Sequence, residues 1–222
     1  MNEVLADAEG PRSLTRPDGT NFPSLELLTL TRFPSFFEHP IRNINHIKIE
    51  YGLVQDDTPK MLQKMLELQQ VVERFTEDKV PVPAIVIRQL NATQAGYGLM
   101  LAMSICFGAM ISAYELDERY TEEELDTLID KVVVFSQVVS TNRPLGSSYM
   151  SLPLVAAAAA TNDEYKRSKL ETIMDDYLSD FPETICRDKG RQLQGLLQRI
   201  RLIRRQQLKR ASEVCAVSAV AK

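Results

Sequence analysis

The residues best equipped for chemistry are three acids near the end of a helical stretch, Asp175-Asp176-Tyr177-Leu178-Ser179-Asp180. This is the DDxxxD form that binds the magnesium of isoprenoid diphosphates. Carboxylates four apart share one helix face, so Asp176 and Asp180 are placed to hold one ion, with Asp175 beside them. A terpene cyclase also needs a second metal motif later in the chain. The only candidate, Asn162-Asp163 with Ser168 and Glu171, comes earlier and has the wrong spacing. Solvated acids at a helix end are therefore the preferred reading, and a magnesium-dependent enzyme on an isoprenoid-type substrate is the alternative.

The remaining reactive residue types form no set. His39 and His46 lie seven apart and have no third ligand, and Cys106, Cys186 and Cys215 lack the pairing of a zinc site or disulfide framework. No Gly-rich phosphate loop or Ser-His-Asp arrangement is present, so no cofactor is expected and catalysis is unsupported. The other concentrated chemistry is basic: Arg199, Arg201, Arg204, Arg205, Lys209 and Arg210 crowd one short run, RIRLIRRQQLKR. Such a run suits nucleic acid or an import receptor. Its plainer reading is the solvated side of a terminal amphipathic helix, because no aromatics interleave and its leucines and isoleucines need cover.

Charge is strongly segregated. Residues 187–222 hold ten Lys or Arg against two acids, a net of +8, which leaves −12 for residues 1–186 of a chain whose total is −4. The C-terminal region is thus basic on an acidic body.

The elements that must position these residues are helices. The stretch Gln89–Tyr114 is 26 residues without a charge in a chain that is 25% charged. A helix so uniform is covered on all sides by protein or by lipid. Gly96, Gly98, Gln94, Asn91, Ser104 and Ser112 dilute its hydrophobicity, and acids rather than basic residues follow it, which favours protein. Gly98, Ala102, Ser104, Gly108 and Ser112 fall in two rows at four-residue spacing, so neighbouring helices are expected to approach closely.

Around it, Thr58 and Pro59 read as the N-cap and first position of a helix with Met61, Met65, Leu68, Val72 and Phe75 inward. Thr121 and Glu124 form a capping box before the stripe Leu125, Leu128, Ile129, Val132, Phe135 and Val139, which ends near Asn142 ahead of Pro144. An alanine-rich helix includes Ala156–Ala160, another spans Asp163–Leu178, and the last runs from about Lys189 to Ala211 with Leu193, Leu197, Ile200 and Ile203 inward. The expected fold is all-α, a single domain of six or seven helices around a buried uncharged central helix. Residues 1–20 read as a mobile leader, 21–211 as the helical domain and 212–222 as a frayed tail. The first residues lack the apolar core of a secretory signal.

Three stretches resemble the regulatory region of fungal zinc-cluster transcription factors. Ala95-Gly-Tyr-Gly-Leu-Met-Leu-Ala-Met-Ser-Ile is similar to that family's uncharged helix. Asn142-Arg-Pro-Leu-Gly-Ser-Ser-Tyr-Met-Ser-Leu-Pro-Leu is similar to its turn and following small-residue helix. Ile173-Met-Asp-Asp-Tyr-Leu-Ser-Asp-Phe is a weaker match. Together they cover about residues 60–182. The resemblance implies an all-helical regulatory domain in the nucleus, acting through other transcription-regulatory proteins or a full-length paralogue, with self-association left open. The family's six-cysteine zinc cluster has no counterpart in this sequence. The chain is thus expected to bind no specific DNA site alone, and no membrane.

Overall fold

The computed structural model describes residues 44–115, 122–143, 149–180 and 185–220. All of these lie in one compact unit, Pro40–Lys222. The expected helix at Ser24–Arg32, the leader 1–20, His39, the Thr121 cap and the turn 144–148 lie outside the described residues.

Six α-helices make up the described residues: α1 (Ile44–Glu77), α2 (Ala84–Glu115), α3 (Glu122–Val139), α4 (Ser151–Ala160), α5 (Glu164–Asp180) and α6 (Ile185–Val220). No strand occurs among them, and the class is all-α. The uncharged helix α2 is central, packed by α1, α3, α4 and α6. Every residue from Met100 to Ile111 is buried. Among the described residues this is the one helix long and apolar enough to cross a membrane, and 83% of its most apolar window is buried inside the protein. Protein surfaces occupy the positions that lipid would otherwise take.

The small residues of α2 do different work. A Cβ added at Gly98 would sit 3.1 Å from the Phe135 ring, with Tyr149 and Pro153 behind it, whereas at Gly108 it would meet Tyr51 at an ordinary 3.5 Å. The close approach is therefore at Gly98, where α2, α3 and the start of α4 converge. Helix α4 is the second hub: it touches α2, α3, α5 and α6, and its alanines 156, 157, 159 and 160 are all buried. A bulkier helix would hold those four neighbours apart.

The start of α1 differs from the sequence expectation. Thr58 does not cap a helix, because α1 begins at Ile44 and carries Pro59 inside it. Ile44, Ile47, Tyr51, Val54, Thr58, Met61 and Met65 form one continuous buried stripe. Its burial offsets the hydrogen bond that Pro59 cannot make, a loss of ~3 kcal/mol or more in an isolated helix. The Thr58 hydroxyl turns back along the helix and donates to the Val54 carbonyl at 2.6 Å. Helix α1 ends where expected, before Pro81. Lys79 takes a left-handed φ of 55°, so that Val80 N–H donates to the Phe75 carbonyl and Lys79 N–H to the Thr76 carbonyl.

The inward stripes of α3 and α6 follow their period. Leu128, Ile129, Val132, Phe135 and Val139 are buried on α3, and Leu197 and Ile200 on α6, while Leu125, Leu193 and Ile203 are half-buried. Asp163 caps helix α5 from the position before it, its Oδ1 accepting from the Tyr165 and Lys166 amides. The backbone of α6 is helical to Val220, past the end expected at Ala211.

Candidate functional site

The DDxxxD acids sit on the last turns of α5, and the fold separates them. Asp176 and Asp180 share a face, as their spacing dictates, and both are taken by one residue, Arg143. Pro144 forces its predecessor out of the helical region, and Arg143 accordingly leaves the short 3-10 turn Ser140–Asn142 with extended φ −67°, ψ 152°. Its side chain then crosses to α5. Nε donates to Asp180 Oδ2 at 2.6 Å, Nη1 to Asp176 Oδ2, and Nη2 to the Asp176 main-chain carbonyl at 2.5 Å. The guanidinium also lies 4.8 Å above the Tyr177 ring. One planar group thus ties the α3–α4 connection to the end of α5 through three hydrogen bonds and a stacked ring.

A second set of contacts continues inward from that point. The Tyr177 hydroxyl donates to the Ser136 carbonyl of α3 at 2.5 Å. Phe135, next in the chain, stacks with Tyr149 at 6.3 Å and meets Tyr97 of α2 edge-on at 5.0 Å. The Tyr149 hydroxyl donates to Oε1 of the buried Gln94 at 3.1 Å. Burial pushes the Tyr177 phenol up to about 12, with the acids nearby adding to the rise against the lowering effect of Arg143. Tyr149 is raised too, chiefly by burial. The hydrogen bond to Asp180 leads the factors that raise the Arg143 guanidinium further above its ordinary range. At neutral pH the two phenols stay protonated and the guanidinium charged, and their contacts clasp α2, α3 and α5 together.

Asp175 points elsewhere. It lines an open groove of about 270 Å³ between α4, α5 and α6, together with Arg167, Glu171, Met174 and Gly190. The structure therefore brings Asp176 and Asp180 together on an arginine and places Asp175 apart from them. No group of three or more His, Cys, Asp or Glu positioned for a metal exists among the described residues. His46 faces Glu50 across one turn of α1 at 3.8 Å. Cys106 is a free, buried thiol pushed up to about 12 by that burial, so it is no nucleophile at neutral pH.

The basic run divides in the same way. Arg204 is half-buried, with its guanidinium 5.1 Å above the Tyr114 ring of α2 and its Nε without a hydrogen-bond partner among the described residues. Arg201 reaches back to Asn162 Oδ1 at 3.4 Å. Arg199, Arg205, Lys209 and Arg210 are exposed. Two of the six basic residues pack against the body and four face outward.

Arg143 escapes a reading by motif. Its partners lie 33 and 37 positions away in sequence. The one local signal is that it precedes a proline, which turns its side chain out of the helix register. No family model, no curated protein and no solved structure matches the chain.

Proposed function

We propose that the chain is a helical regulatory domain of the kind carried by fungal zinc-cluster transcription factors, acting in the nucleus through protein partners and without a DNA-reading module of its own. The observation that supports this is spatial. The three stretches that resemble that family are far apart in sequence, and they meet in one cluster: Tyr97 from the first, Arg143 and Tyr149 from the second, Asp176 and Tyr177 from the third. The residues that carry the resemblance are those that hold the helices together, which is how a shared scaffold, rather than a shared reaction, is expected to look.

The test is to fuse the chain to an unrelated DNA-binding module and measure transcription from a reporter bearing that module's site. A change of several-fold over the module alone supports the reading. An unchanged reporter, or tight and specific promoter binding by the chain alone, defeats it. Turnover of a prenyl diphosphate that needs magnesium and is lost in Asp176→Asn would put the enzyme reading in its place.

A further inference from the structure

The exposed side of α6 holds an arrangement that the packing of the domain does not explain. Leu202 is 57% exposed. Arg199 and Arg205 are three residues to either side of it, with Gln206 and Lys209 four and seven residues on, so all lie along one face of the helix. Arg210 flanks that face one turn beyond Gln206. Arg199, Arg205 and Arg210 make no ion pair or hydrogen bond among the described residues.

A helix built only to be solvated places acids three or four residues from its basic side chains, because like charges at that spacing destabilise it. Helix α6 has no Asp or Glu between Asp188 and Glu213. From Arg199 to Arg205 no acid lies three or four residues from a basic side chain, and Arg205 has Arg201 and Lys209 at that spacing, a repulsion that an acidic partner would relieve around a leucine that such a partner would cover; only Lys209 and Arg210 have an acid, Glu213, within four residues.

We infer that this face docks an acidic amphipathic helix of another protein, with carboxylates against Arg199 and Arg205 and an aliphatic side chain over Leu202. The stripe Arg199, Leu202, Arg205, Gln206, Lys209 forms a seam at helical spacing, which a second helix can follow and an extended strand cannot. Nucleic acid fits less well. Phosphates give Leu202 no apolar counterpart, and no aromatic side chain stands between Arg199 and Arg210 to stack on a base. This deepens the regulatory reading and rests on it only for the role of the partner; the surface itself rests on exposure and charge.

The experiment uses the full chain and three labelled probes, read by fluorescence anisotropy: a designed helical peptide of glutamate and leucine, oligoglutamate of equal charge, and random duplex DNA. The peptide is expected to bind roughly tenfold more tightly than oligoglutamate, and Leu202→Ser to remove that difference. Arg199→Glu with Arg205→Glu should weaken peptide and oligoglutamate alike. Leu202 is exposed, so its variant is expected to keep the wild-type unfolding midpoint. Tighter binding of DNA than of peptide, or peptide binding unmoved by Leu202→Ser, overturns the inference. A silent reporter together with Leu202-dependent peptide binding would reject the regulatory reading and leave this surface standing. An active reporter without such binding would do the reverse.

Discussion

Arg143 and the arginines of α6 show two fates of the same side chain. Arg143 has a carboxylate on Nε, another on Nη1, a main-chain carbonyl on Nη2 and a tyrosine ring beneath it. Arg199, Arg205 and Arg210 have none of these among the described residues and stand in water. Arg204 lies between the two, seated on an aromatic ring but with one nitrogen unpartnered among the described residues. The lesson is that the density of charge in a sequence says little about where charge acts. The isolated arginine next to a proline holds the fold, while Arg199, Arg205 and Arg210 of the crowded run are left for something else.

That contrast can be broken most directly at Arg143. Replacing it with alanine removes a forked pair and a stacked cation together, and should cost about 2 kcal/mol by urea unfolding. Arg143→Lys keeps the charge without the fork and should recover less than half of that. A loss below about 0.5 kcal/mol would mean the clasp contributes no more than a surface ion pair.

The next effect belongs to Tyr177, which connects the clasp to α3. Tyr177→Phe should cost about 1 kcal/mol at neutral pH by removing the donor to the Ser136 carbonyl. It should also change the alkaline limb. The phenol of the unfolded chain ionises near 10, whereas the folded one is held up to about 12. Above pH 10 the unfolded state has released a proton that the folded state still binds, so the stabilisation is lost as pH rises from 10 to 12. The unfolding midpoint of wild type should fall through that window more steeply than that of Tyr177→Phe.

Ser104 sharpens the comparison from the opposite side. Its hydroxyl is buried in α2 with no hydrogen-bond partner among the described residues. Ser104→Ala removes an unsatisfied group and adds helix propensity, and should raise stability by up to about 1 kcal/mol in thermal unfolding. The smallest effect is expected at Arg205: Arg205→Ala should leave stability within about 0.5 kcal/mol, since its side chain is exposed and bonded to nothing described. A larger loss there would show that the outer face of α6 belongs to the fold after all.

Much of the architecture is legible in the sequence because burial writes a period. Leu128, Ile129, Val132, Phe135 and Val139 sit where the 3.6-residue stripe of α3 puts them, and the charge-free stretch of α2 is the one encased by four neighbours. The start of α1 is misread for a physical reason. Thr58-Pro59 has the local chemistry of a helix beginning, and the buried stripe from Ile44 that overrides it depends on α2 lying alongside. The small-residue rows point to close packing without saying where. Gly98 and Gly108 look alike in sequence, yet only the first faces a ring at 3.1 Å.

The candidate site divides along the same line. Sequence alone determines that Asp176 and Asp180 share a helix face, that the chain ends in a basic amphipathic helix, and that one long helix must be covered on every side, since each follows from the geometry of a single helix. Tertiary structure alone decides that an arginine from another connection occupies that acidic pair, that Asp175 faces a groove instead, and that Arg204 is spent on Tyr114 while Arg199 and Arg205 remain outside. Those outcomes depend on which surfaces meet across more than thirty residues of chain, and no local spacing encodes them.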